Sequence, residues 1–197
     1  CTVYSLEEIQ AIAAVAHSHG LSMHMDGARF ANALVTLDVT PAQMTWQAGI
    51  DVLSFGGTKN GCLAAEAVVF FRPELVGDFP FLQKRAGQLL SKSRFISSQF
   101  AGYLKDGTWL RNARQANAMA QRLSKGLAAL PGIELAYPTQ SNEVFVSMPA
   151  VLIERLSAQG LSVNDEELDG KAVRFVAAWN TPESQVDDLL KVLADHC

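Results

Sequence analysis

Lys59 stands in a glycine-rich stretch, Ser54-Phe55-Gly56-Gly57-Thr58-Lys59-Asn60-Gly61. A lysine amine attacks a carbonyl to form a Schiff base only when deprotonated, so a lysine with that task needs a partly desolvated or positively charged setting that lowers its pKa. Phe55, Cys62 and Leu63 are the neighbours expected to shelter it. An ordinary surface hairpin also sets lysine beside glycine, and the turn alone does not decide between the two. A second candidate lies upstream, in Leu21-Ser22-Met23-His24-Met25-Asp26-Gly27-Ala28-Arg29-Phe30. Asp26 is a carboxylate at the end of an alternating stretch, with His24 spaced to share its face and to serve as its partner.

Two strands have to position these groups. Over residues 21–27 the alternation puts Ser22, His24 and Asp26 on one face, Gly27 ends the run, and helical spacing resumes over residues 28–37. Open α/β sheets place ligand contacts at the carboxyl ends of strands, where Asp26 falls. Residues 51–55 form a second strand-like stretch, and the Gly56-Gly57 pair stops regular pairing and lets backbone come close to a bound group.

The two motifs together, His24-Met25-Asp26-Gly27-Ala28-Arg29 and Ser54-Phe55-Gly56-Gly57-Thr58-Lys59-Asn60-Gly61, closely resemble those of the low-specificity L-threonine aldolases, and the similarity runs along essentially the whole chain. The family belongs to the aspartate-aminotransferase-like, fold type I group of pyridoxal phosphate enzymes. The resemblance implies an α/β fold: part of a large cofactor-binding domain with a mainly parallel sheet, plus a smaller carboxyl-terminal α/β lobe. It implies Lys59 as the lysine that carries pyridoxal 5'-phosphate and Asp26 as the carboxylate that keeps the pyridine nitrogen protonated so that the ring withdraws electrons. It implies Arg29 as a contact for the substrate carboxylate, and Arg94 as a residue reaching the cofactor phosphate of a neighbouring subunit, although Leu90-Ser91-Lys92-Ser93-Arg94-Phe95 departs from the glycine-rich form of that motif. The implied activity is retro-aldol cleavage of L-threonine, L-allo-threonine and related β-hydroxy-α-amino acids to glycine and an aldehyde. The implied assembly is a homotetramer with active sites shared between subunits.

Arg174, in Lys171-Ala172-Val173-Arg174-Phe175-Val176-Ala177, is a charge among strand residues. An arginine fork grips a carboxylate bidentately, and an edge-strand arginine facing solvent fits the same pattern equally well. The resemblance selects the first, as a second contact for the substrate carboxylate. Asn142, in Ser141-Asn142-Glu143-Val144-Phe145-Val146, matches a family pattern too, and a turn-stabilising asparagine explains it as readily.

The remaining pattern supplies the scaffold. Ser5 with Glu8 makes a capping box for a helix that buries Ile9, Ile12, Ala13, Val15 and Ala16 and stops at Gly20. Thr40-Pro41-Ala42-Gln43 caps a second short helix. Residues 64–71 read as a strand containing Glu66, for which a hydrogen bond or ion pair is the expected role. Residues 79–103 read as helical, with Lys84, Arg85, Lys92 and Arg94 among apolar residues, and residues 109–130 as a long helix after the Lys105-Asp106-Gly107-Thr108 turn. Strands at 133–136, 143–147 and 172–178 alternate with helices over 149–159 and from Thr181 to the end. The domains expected are therefore residues 1–104, the carboxyl-terminal part of the large domain with a connecting helix, and residues 105–197, the small domain.

Composition bounds the rest. Of 197 residues 49% are hydrophobic and 18% charged, and the net charge of -4 gives no electrostatic footprint for nucleic acid or anionic membrane. The partner expected is a small amino-acid substrate. The 3 cysteines, Cys1, Cys62 and Cys197, are far apart and form no CxxC pair, so neither a disulfide framework nor a metal site is suggested and a cytoplasmic location fits. His17 and His19 lie at a helix end, where the dipole accounts for them. The opening helix reads as the interior of an αβ repeat, which makes the chain the carboxyl-terminal part of a longer protein or one piece of a nicked one. The family's phosphate-cradling loop, its ring-stacking group and the histidine discussed as the β-hydroxyl base are then expected upstream. Alternatives of the same fold are a β-eliminating lyase and an aminotransferase; a non-catalytic oligomerisation fragment is a third possibility.

Overall fold

The structure is a computed structural model, and it describes residues 2–158, 160 and 172–195. Two compact units are present, Tyr4–Arg111 and a second made of Cys1–Val3 with Asn112–Cys197. Lys105–Gly107, at the expected domain boundary, is a single 3-10 turn with Asp106 at φ 52°.

The first unit begins with α1 (Leu6–Ser18). Its capping box is formed as expected: the Glu8 amide donates to Ser5 Oγ at 3.2 Å and the Ser5 amide donates to Glu8 Oε2 at 2.7 Å. β1 (His24–Gly27) and α2 (Phe30–Leu37) follow, then α3 (Pro41–Met44), which carries the second capping box at Thr40 and Gln43. β2 (Val52–Gly56) runs parallel to β1, and β3 (Glu66–Phe70) runs antiparallel to β2, giving a sheet of order β1-β2-β3. Paired residues share a face, so Met25, Leu53, Phe55 and Val69 point one way, into a core with Ile9, Phe30, Leu34, Met44 and Ile50. Each such side chain removed from water contributes about 1.5–3 kcal/mol before entropy is counted. The opposite face carries His24, Asp26, Ser54, Val68 and Glu66.

The expected helix over 79–103 is interrupted. α4 (Phe79–Arg85) and α5 (Arg94–Leu104) are separate, because Gly87 takes the left-handed conformation at φ +72° and ends the first of them. The apolar period continues through Leu89 and Leu90, which are 51% and 52% exposed. Periodicity there reports composition and not a buried face.

α6 (Thr108–Ala128) leads through the second unit, with Ala113, Ala116, Ala120, Leu123 and Leu127 buried at helical spacing. β4 (Glu134–Leu135), β5 (Glu143–Ser147) and β6 (Val173–Val176) form an antiparallel sheet in that order. α7 (Ala150–Ala158) and α8 (Glu183–Ala194) complete a core in which Leu127, Val144, Val146, Leu156 and Leu193 are all 0% exposed. Gln159 and Lys171, expected at the ends of a helix and a strand motif, lie outside the described residues, as do Cys1, His196 and Cys197. Among the described residues no helix is long and apolar enough to cross a membrane.

Candidate active site

Asp26 stands at the carboxyl end of β1, opposite Ser54 of β2. Gly27 brings the strands close at that end: a Cβ there would lie 2.5 Å from the Ser54 carbonyl oxygen and 2.6 Å from Leu53 Cδ1, so no other residue fits without displacing backbone. The Ala28 amide donates to Asp26 Oδ1 at 2.9 Å, a side-chain turn that fixes the direction of an otherwise exposed carboxylate. His24, expected beside Asp26, instead shares a 2.8 Å hydrogen bond with Ser54 Oγ. Ser54 lies diagonally across the ladder, within reach of an imidazole, while Asp26 turns to the backbone ahead of it. Arg29 is the residue before α2, half-buried, immediately after that turn.

Because β1 and β2 are parallel, the turn after β2 opens at the same edge of the sheet as Asp26. Lys59 occupies the middle of a 3-10 turn, Thr58–Asn60. The Gly57 amide donates to the Ala65 carbonyl at 2.9 Å, and the Asn60 and Cys62 amides both donate to the Gly57 carbonyl at 3.1 Å. Thr58 is tied to the strand that follows: the Ala65 amide donates to its Oγ1 at 3.1 Å, and its own amide donates to Glu66 Oε1 at 3.3 Å. Glu66 thus has the hydrogen bond expected of it, from an exposed position and not a buried one. Asn60 is 3% exposed, and its Nδ2 donates to Tyr103 Oη at 2.7 Å and to the Trp109 carbonyl at 2.8 Å.

Below the turn Phe55 packs against Phe30, Phe100, Tyr103 and Trp109 at ring-centroid distances of 5.6–6.1 Å. Burial pushes the Tyr103 phenol up to about 12, and nearby Cys62 and Glu66 add to the rise. Burial, with Glu66, also pushes the Cys62 thiol up. The expected shelter of Lys59 is only partly present, because Leu63 is 89% exposed and Lys59 itself is exposed. The turn closes at Gly61 with φ +120°, and Leu63 stands outward beyond it.

The Asp26-bearing face of the sheet also borders a cleft of about 730 Å³, lined by Ser54, Glu66, Val68, Phe79, Ser97 and Phe100. Arg94 is the first residue of α5, next to Ser93 of the same lining, and is exposed.

Arg174 belongs to the second unit, on β6 opposite Phe145. It is 23% exposed in its side chain and does not simply face solvent: Nη1 donates to Glu143 Oε1 at 3.2 Å, and that carboxylate is 7% exposed. Asn142 Nδ2 donates to the Ala177 carbonyl at 2.9 Å, 35 residues away, a long-range tie and not the turn-stabilising bond weighed for it.

Two groups of residues escaped the sequence reading. Asn60, Tyr103 and Trp109 form one; Asn60 stands in the lysine motif, but nothing in the sequence marks its burial or its two distant partners. The other is centred on Asp51, 4% exposed, which accepts from His17 Nε2 at 2.8 Å and from the Met23 amide at 2.7 Å, with Arg72 Nη1 3.6 Å away. Burial pushes the Asp51 carboxyl up, but the Met23 amide, the His17 imidazole and the Arg72 guanidinium outweigh it and hold the pKa below its usual value. The helix dipole is therefore not the whole account of His17.

The mixed sheet, with Asp26 and the Lys59 turn at one edge of its parallel strand pair, has the fold of a threonine aldolase. The Leishmania major threonine aldolase structure superposes with a TM-score of 0.87 at 28% identity, covering 98% of this chain and 57% of that one. The chain belongs to the beta-eliminating lyase family, which matches residues 1–150. It is 47% identical over 188 residues to the low specificity L-threonine aldolase of Pseudomonas sp. (strain NCIMB 10558) and 43% identical over 190 residues to that of Pseudomonas aeruginosa. Those alignments take in 95% and 96% of this chain, which spans 54% and 55% of the two relatives.

Proposed function

We propose that this chain is part of an L-threonine aldolase that cleaves L-threonine, L-allo-threonine and related β-hydroxy-α-amino acids between Cα and Cβ, releasing glycine and an aldehyde. The observation that carries the reading is the placement of Asp26 and Lys59 at one edge of a parallel strand pair, in a chain 47% identical to a low specificity L-threonine aldolase. The donor set fits pyridoxal 5'-phosphate: an amine for its aldehyde and a carboxylate for its protonated ring nitrogen. Bound there, that cofactor supplies a ring able to withdraw electrons from the substrate's α carbon.

The chain's own residues have these tasks. Lys59 would hold the cofactor's aldehyde carbon through its amine. Asp26, oriented by the Ala28 amide, would accept the cofactor's ring N–H. Arg29 and Arg174 bind the substrate carboxylate, which selects the Cα–Cβ bond for cleavage by orienting the amino acid, with Arg174 steadied by Glu143. Arg94 binds a cofactor phosphate across a subunit boundary in a homotetramer. The base that takes the β-hydroxyl proton is not assigned to a residue of this chain.

The family's description favours one second reading, β-elimination on the same lysine and carboxylate. Product analysis with L-threonine separates them: glycine and acetaldehyde support the aldol cleavage, whereas ammonia and a keto acid overturn it.

A further inference from the structure

We propose that Asn60 is a positioning residue, whose buried amide tethers the lysine turn to Tyr103 and to the Trp109 carbonyl and thereby aims the Lys59 amine out of the protein toward a carbonyl ligand. The inference rests on the reading of Lys59 as the cofactor-bearing lysine and adds what holds it in place.

The geometry of the turn makes the argument. A 3-10 turn advances three residues per revolution, so the side chains of Thr58, Lys59 and Asn60 leave in three directions. Two of those directions are committed to the protein. Thr58 Oγ1 accepts from the Ala65 amide at 3.1 Å, and Asn60 Nδ2 donates at 2.7 Å to Tyr103 Oη and at 2.8 Å to the Trp109 carbonyl. With both neighbours anchored, the turn cannot roll, and Lys59 takes the remaining direction, where it is exposed.

The chemistry of the anchor is specific to asparagine. A carbonyl oxygen must receive a donor, which an aspartate cannot supply and an alanine lacks. The second acceptor is a buried phenol that stays neutral, consistent with its raised pKa of about 12. Tyr103 and Trp109 also pack on Phe55, so the tether ties the turn to the aromatic cluster beneath it. Loss of the Asn60 amide leaves two buried acceptors without that donor and lets the turn re-orient.

The test uses the natural assembly containing this chain, incubated with pyridoxal 5'-phosphate, reduced with borohydride and peptide-mapped for the modified lysine. Wild type is compared with Asn60→Ala, Asn60→Asp and Tyr103→Phe, each shown by circular dichroism to be folded at the assay temperature. We expect Lys59 in both Asn60 variants to be modified about tenfold more slowly, the factor carried by roughly 1.4 kcal/mol, and kcat to fall while the KM for the amino acid holds. Tyr103→Phe keeps the Trp109 half of the tether and shows a smaller fall in the same direction, which decides the matter should Asn60→Ala fail to fold. Folded variants modified at the wild-type rate overturn the inference alone. A wild-type protein with no label on Lys59 overturns the underlying reading, and the inference with it.

Discussion

The side chains on either side of Lys59 are both hydrogen-bonded to the protein, Thr58 from an exposed position and Asn60 from a buried one, and Arg174 is likewise held by a neighbour. There Glu143, almost fully buried, accepts from Nη1 at 3.2 Å. If Arg174 binds the substrate carboxylate, Arg174→Ala weakens amino-acid binding by about 2–5 kcal/mol, read by calorimetric titration of the holoenzyme with glycine. Unchanged affinity and turnover remove that role. Asp51 supports a different expectation. Its folded pKa lies below the ordinary value of 3.8, so its stabilisation is complete above that value and is lost as pH falls through the lowered native one. Asp51→Asn therefore lowers stability near neutral pH by about 1–3 kcal/mol and flattens the acid limb of a urea-unfolding series, and an acid limb as steep as the wild type's contradicts the assignment. The placement of Lys59 in a turn and of Asp26 at a strand end was legible because each sits in a glycine-marked motif. The pairs His17–Asp51 and Asn60–Tyr103 were not, since the partners are 34 and 43 residues apart and, although Asn60 stands in the lysine motif, nothing local names the partner.

Elements whose signals are local were readable in advance. Both capping boxes formed, and β5 falls on the residues 143–147 expected of it. The failures came where a local signal was overruled by neighbours. β1 begins at His24 and not at residue 21, because the Met23 amide is taken by the Asp51 carboxylate and Leu21 is 62% exposed. The helix over 79–103 broke at Gly87, whose left-handed backbone outweighs an apolar period that continues past it. The close approach of β1 to β2 gives a direct test of packing at this scale. Gly27→Ala places a methyl against the Ser54 carbonyl and Leu53 Cδ1, and costs about 1–3 kcal/mol by strain, measured as a lowered urea midpoint with an unchanged m-value. A midpoint equal to the wild type's shows that the strands part without cost.

At the scale of the whole molecule, alternation of strands and helices was enough to indicate an α/β protein, and the two compact units, which divide after Arg111 and not after residue 104, each have their own sheet and core. The first sheet holds one parallel ladder and one antiparallel ladder, and it is the parallel one that sets Asp26 and the lysine turn at a common edge. What alternation could not give is the reaction, because one lysine and one carboxylate serve several bond cleavages on this fold. Similarity to threonine aldolases over 95% of the chain points to one of them. The claim on which all the assignments depend is the covalent role of Lys59. The most direct measurement is an absorbance spectrum of the natural assembly before and after borohydride reduction, followed by peptide mapping of wild type and Lys59→Ala. The account predicts a visible band lost on reduction, a pyridoxyl group on Lys59, and neither in the variant. A label on another lysine, or a band that survives Lys59→Ala, contradicts it.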